Sequence, residues 1–254
     1  MNLNRIILRR FCRRSAFSLV ELLTVMGCMS LLLAISVPAI NGLKGGGDFH
    51  SAVDEVALAL DRARAYAVAK NTYVWVGFYE ESATGAASST LPPFTGRGRV
   101  VVATVASVDG TRIFEDGSAA AMLPPDRLRP VGRLLKISRL HLADVGAPTG
   151  MGETGRLDGR PDLPYTGEDA EGSRISSESA ARTPYPFQAG TYTFHKTIRF
   201  SPSGEATVNG ESVPRRLGEI GLIPTQGDEV ADSQPNVAAV QFSGLGGKVR
   251  TYRR

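Results

Sequence analysis

A chain of 254 residues with 42% hydrophobic and 21% charged residues belongs to the folded proteins, as one domain with extensions or two small domains. Its net charge of +4 invites a nucleic-acid reading, yet Arg5, Arg9, Arg10, Arg13 and Arg14 supply the excess, and the remainder carries 24 basic against 25 acidic residues. Both cysteines, Cys12 and Cys28, lie near the N-terminus, which excludes a disulfide framework or a zinc spacing over the rest of the chain.

The five arginines form a basic leader over residues 1–16, and an apolar run follows from Phe17 to Ile40. A helix over 17–40 would be about 36 Å long, enough to cross a hydrocarbon core of about 30 Å. The leader then predicts a single-pass protein with a cytoplasmic N-terminus and its C-terminal head on the other side of the membrane. Inside that run stands one carboxylate, Glu21, which is costly in such a helix and marks a functional position. A cleaved signal peptide, with Val37-Pro38-Ala39 as its small-residue site, and a plain signal anchor both compete. Neither gives Glu21 a role.

The stretch Ser15-Ala16-Phe17-Ser18-Leu19-Val20-Glu21-Leu22-Leu23 resembles the prepilin cleavage and methylation motif of type IV pilins and type II secretion pseudopilins. The resemblance implies that a prepilin peptidase cuts between Ala16 and Phe17 and methylates the new amine on Phe17. Alanine stands at 16 where the family usually has glycine. Glu21 and Pro38 match the family's glutamate and proline at the same distances from the cut, and the resemblance implies that both serve filament assembly. A buried carboxylate one helical turn from a cationic amine is costly unless paired. In the family, the glutamate neutralises the terminal amine of a neighbouring subunit, which sets register. The implied layout is a cleaved leader over 1–16, a transmembrane and filament-core helix over 17–44, and a globular head over 45–254.

Along the head, Asn41-Gly42-Leu43-Lys44-Gly45-Gly46-Gly47 reads as a helix breaker and joint. Val53, Val56, Ala57, Leu60, Ala63, Ala67 and Val68 then recur at helical spacing and predict an amphipathic helix from about 49 to 70. Strands are expected at 72–79, 99–105, 111–114, 134–142, 191–200, 205–208 and 217–223. A closing hairpin pairs 238–242 with 248–253 around the glycine-rich turn. Residues 143–190 are poor in apolar side chains and read as a disordered insertion. The expected class is a pilin-like α+β fold: a long N-terminal hydrophobic helix, then an amphipathic helix packed on antiparallel β-sheet.

Ala57–Val76 resembles the Ala-Arg-rich helix and first strand of GspH/FimT-type minor pseudopilins. Phe200-Ser201-Pro202-Ser203-Gly204 and Gly246-Gly247-Lys248-Val249-Arg250 are similar to that group's late Phe-x-Pro-x-Gly and Gly-Arg-x-Arg patterns, with Lys248 in place of an arginine. Leu134–Asp144 and the insertion also resemble the D component of Verru-Chthon cassettes.

No enzyme is legible. His50, His141 and His195 are scattered over unrelated elements, and no metal or cofactor template is met. The function this reading implies is a minor pilin or pseudopilin, cleaved and N-methylated at Phe17, assembling into a type IV pilus-like filament or type II secretion pseudopilus. Its partners are the prepilin peptidase, other pilins met through the N-terminal helix, and the inner membrane. The alternative is a DNA-binding minor pilin. The resemblance to the FimT-like group implies phosphate contact through a basic C-terminus made of Lys248, Arg250, Arg253 and Arg254. Set against it is a charged edge strand that resists aggregation.

Overall fold

The computed structural model describes residues 18–84, 96–114, 121–145, 160–161, 171–176, 185–208, 211–230 and 236–253, with the side chains of 35–47 left out. The chain divides into two compact units, Met1–Gly45 and Gly46–Arg254. One helix, α1, is assigned over Leu19–Lys70 and crosses that division. The glycines at 45–47 do not end it. Each costs a helix about 1 kcal/mol relative to alanine, which lowers propensity without breaking the hydrogen-bond ladder.

Helix α1 stops where a left-handed residue caps it. Asn71 has φ 49°, Thr72 N–H donates to Ala67 O at 3.0 Å, and Asn71 N–H donates to Val68 O at 3.4 Å. This paired pattern satisfies the last carbonyls and turns the chain into strand.

Strands β1 (Val74–Ser82) and β2 (Gly98–Ser107) pair antiparallel from Val74↔Ala106 to Ser82↔Gly98. After them come β3 (Leu128–Pro130), β4 (Leu135–Ser138), β5 (Leu140–Ala143), β6 (Gly172–Ile175), β7 (Phe187–Ala189) and β8 (Tyr192–Phe194). The chain continues through β9 (Lys196–Phe200), β10 (Ala206–Val208), β11 (Leu217–Gln226), β12 (Glu229–Val230), β13 (Ala238–Ser243) and β14 (Val249–Arg253). One six-stranded sheet runs β10-β9-β1-β2-β3 with β4 also on β2. A second runs β12-β11-β13-β14 with β5 and β6 also on β11, and β7 and β8 form a hairpin of their own.

Side-chain alternation buries the first sheet on both faces. Val74, Val76, Phe78, Val100 and Val102 join Leu142, Ile220, Val240 and Phe242 of the second sheet in one core, with Val53, Val56, Leu60 and Ala63 of α1. Trp75, Val101, Ala103 and Val105 point the other way, into a second core closed by Tyr185, Phe187, Tyr192 and Phe194. Gly77 permits that closure: a Cβ there would lie 2.5 Å from Phe194 Cβ and 2.6 Å from Phe187 Cζ.

The expected pilin-like α+β class is therefore corrected. Strand dominates the described residues, and the architecture is two six-stranded sheets plus a separate hairpin rather than a long hydrophobic helix followed by an amphipathic helix packed on antiparallel β-sheet. The reason lies in two short interruptions. The run at 134–142 breaks at Arg139 (φ 61°), so that β4 joins the first sheet and β5 the second. The run at 191–200 breaks at His195, which separates the β7–β8 hairpin from β9. The sheets are not wholly antiparallel either, since β6 pairs parallel with β11. No strand forms at 111–114, where Ile113 has φ 70°. Within 143–190, β6 and β7 are ordered strands that bury Ile175 and Phe187, against the expectation of a disordered insertion.

No helix among the described residues is long and apolar enough to cross a membrane. This overturns the expected single-pass inner-membrane placement and the transmembrane role of the N-terminal helix.

One surface clamp ties the second sheet to the end of β1. Asp228 accepts from Ser82 Oγ (2.6 Å), Thr84 Oγ1 (2.5 Å) and the backbone N–H groups of Ala83 (2.5 Å) and Thr84 (3.3 Å). The hydroxyls of Ser82 and Thr84, then the two amides, hold its carboxyl down to about 2. A lowered folded value means that the clamp's stabilisation is full above the unbonded value of 3.8 and is lost as pH falls through about 2. An NMR titration of the Asp228 carboxyl should therefore show it ionised at pH 3, and a midpoint near 4 would contradict the clamp.

Candidate functional site

The N-terminal part of α1 carries the first candidate surface. Leu19, Val20, Leu22, Leu23, Val25, Met26, Met29, Leu31, Leu32 and Leu33 are all between 49% and 78% exposed. At 100° per residue these ten positions surround the helix instead of forming a stripe. A helix that is apolar all round is normally buried on every side. Glu21 is exposed among them and is the only charged side chain from Ser18 to Ala34. Thr24 Oγ1 donates to its backbone carbonyl at 2.9 Å, and Ser30 Oγ donates to Met26 O at 2.8 Å, so the hydroxyls of this helix are turned onto its own backbone. Ala16 and Phe17 lie outside the described residues. Pro38 falls within the assigned helix, and its side chain also lies outside them.

The basic C-terminus divides in the structure. Lys248 and Arg250 are exposed, Arg253 bonds Asp54 of α1, and Arg254 lies outside the described residues. The closing hairpin forms, with Phe242↔Val249 through Ala238↔Arg253 in register. The two late glycine motifs meet each other. Gly247 has φ 60°, and a Cβ on it would lie 2.4 Å from Gly204 O and 2.7 Å from Arg64 Cδ. Ala206 N–H donates to Gly244 O at 2.7 Å, joining the two turns. In this fold the motifs bring two turns together against the Arg64 side chain of α1, which is a packing role.

Three buried carboxylates went unnoticed in the sequence. Glu81, fully buried, accepts from Arg99 Nη1 at 2.9 Å and Tyr192 Oη at 2.8 Å, with Lys136 Nζ at 3.6 Å. Glu80 points to the opposite face, where its Oε1 meets His141 Nδ1 at 2.5 Å and accepts from Leu142 N–H at 3.2 Å. Lys196 packs nearby; burial lowers its ammonium pKa, and the Glu80 charge works against that shift. Glu219, also fully buried, takes Arg160 Nη1 on both oxygens at 2.9 Å, Arg174 Nη2 at 3.1 Å and Gln241 Nε2 at 2.8 Å. Arg160 also donates to Val145 O at 2.7 Å, so this centre fastens part of the 143–190 region to the second sheet. Each carboxylate is held by bonds from its own fold. The signal was visible: Glu219 is a lone acid in the apolar run Leu217–Ile223, the same kind of feature that singles out Glu21.

An open groove of about 580 Å³ lies beside Glu171, Glu211, Val213, Arg215 and Arg216. Its charges pair with one another, Arg216 with Glu171 at 2.9 Å and Arg215 with Glu211 at 3.7 Å, and Ser173 Oγ donates to Glu211. It offers no nucleophile beside a base.

Against family models, curated proteins and solved structures, the chain finds no match. There is thus no family support for a pilin or a secretion component, and the expected secretion-system role is dropped.

The Glu219 centre can be tested by deletion. Glu219→Ala removes the carboxylate from buried Arg160, while Arg174 keeps Asp144 at 2.5 Å, and should cost about 3–5 kcal/mol in urea unfolding. A loss below about 0.5 kcal/mol, the range of ordinary surface substitutions, would show that the centre is not structural.

Proposed function

We propose that this protein is a subunit of a filament of the prepilin-processed kind, released by a cut between Ala16 and Phe17, N-methylated at Phe17, and assembled through the apolar surface of α1. The observation that carries this reading is the ring of ten exposed apolar side chains from Leu19 to Leu33. Full burial of such a side chain is worth about 1.5–3 kcal/mol, so covering the exposed fraction of ten gives roughly 10–20 kcal/mol. Association costs roughly 4–15 kcal/mol in lost freedom, so the gain is large enough to hold an assembly together.

The occupant of that surface is the same helix from other copies. An apolar ring needs neighbours on several sides, which a single groove does not supply. Glu21 also needs a cation once covered, because an unpaired carboxylate in an apolar interface is strongly unfavourable. The amine freed at Phe17, one helical turn away in sequence, is a cation that every added copy brings with it.

The DNA-binding alternative has thinner support. Of its four residues, Lys248 and Arg250 are exposed, while Arg253 is engaged by Asp54.

Two differently tagged full-length copies, co-expressed with a prepilin peptidase, test the interface. The parent pair should co-isolate, and Leu22→Asp with Leu32→Asp in both copies should reduce recovery at least tenfold while leaving the thermal midpoint of the head unchanged. Undiminished recovery would contradict assembly through this helix.

A further inference from the structure

We propose that the β7–β8 hairpin is a lid that opens as a unit from the first sheet, uncovering an aromatic face with a carboxylate at its edge. Among the described residues the hairpin pairs only with itself, in the register Phe187↔Phe194 to Ala189↔Tyr192. A two-stranded hairpin is at best marginally stable alone, so docking holds it in place. That docking is made by side chains. Phe187 and Phe194 stack at 5.1 Å and sit over Gly77, and Tyr192 meets Tyr79 edge-on at 5.3 Å. One backbone bond, Leu123 N–H to Pro186 O at 2.8 Å, ties the start of the hairpin to the segment before β3.

Beneath the lid the floor is mixed. Trp75 and Tyr79 supply rings, and Glu81, held by Arg99 and Lys136, supplies charge. Tyr192 Oη caps that carboxylate at 2.8 Å, and Lys136 Nζ lies 5.1 Å from the Tyr192 ring centre. Opening exposes aromatic surface, which is unfavourable, but it also returns water to the fully buried Glu81 carboxylate, whose cations Arg99 and Lys136 already reach solvent. A lid over charge therefore opens at lower cost than one over a purely apolar floor, while β1 and β2, bonded to neighbours on both sides, stay closed. The hairpin, though Phe187 and Phe194 are fully buried, is thus a cooperative unit that opens separately from β1 and β2 and at lower cost.

Native-state amide exchange on the full-length chain reads this directly. The amides of Phe187–Phe194 should share one opening equilibrium and exchange at least about 100-fold faster than those of β1 and β2. Tyr192→Phe removes the bond to a charged acceptor and should speed the hairpin amides by about tenfold, with β1 and β2 unchanged. Equal protection of hairpin and sheet in the parent chain overturns the proposal, as does a Tyr192→Phe variant that accelerates both sets alike. Should that variant fail to fold, the parent comparison alone decides.

Discussion

Strand β1 is covered on both faces, and the rest of the head is arranged around that requirement. Its period-two alternation sends Val74, Val76 and Phe78 into the core shared with α1 and the second sheet, and Trp75 into the core beneath the hairpin. At its far end the same alternation separates two adjacent acids. Glu80 faces His141 and Glu81 faces Arg99, Lys136 and Tyr192, so each carboxylate is matched on its own side of the sheet. A strand buried this way cannot slip by one residue, because every ring and every charge would change faces at once.

The N-terminal unit obeys the opposite rule. Its described apolar side chains, Leu19 to Leu33, are exposed, while the head has closed even its charged centres. Ten exposed large apolar groups, set against the buried, paired Glu81 and Glu219, are the contrast on which the proposal rests. The filament proposal gives that surface an occupant from the molecule itself. It also gives Glu21, the one charge on the described apolar stretch, a reason to sit there.

Sequence reading was most successful where one local signal determined one local structure. The amphipathic spacing from Val53 to Ala67 does mark a buried helical face, and the Gly-rich turn at 244–247 does close a hairpin. It failed where distant contacts decide. Nothing local shows that Arg139 ends one strand and begins another in a different sheet, because a left-handed arginine depends on tertiary packing. Residues 143–190 look structureless by composition, yet Arg160 and Arg174 are partners of Glu219, some 50 residues away. The glycines at 204 and 247, noticed as parts of motifs, turned out to touch each other. The membrane expectation rested on counting apolar residues to Ile40, and no helix among the described residues is long and apolar enough to cross a membrane.

The central claim is that the helix surface is exposed for assembly after a specific cut. Mass spectrometry of the mature N-terminus, on protein made with a prepilin peptidase present, tests it most directly. The mature chain should begin at Phe17 and carry one added methyl group on its amine. A chain retaining Met1 and its five leader arginines, or one that begins near Ile40, would contradict it.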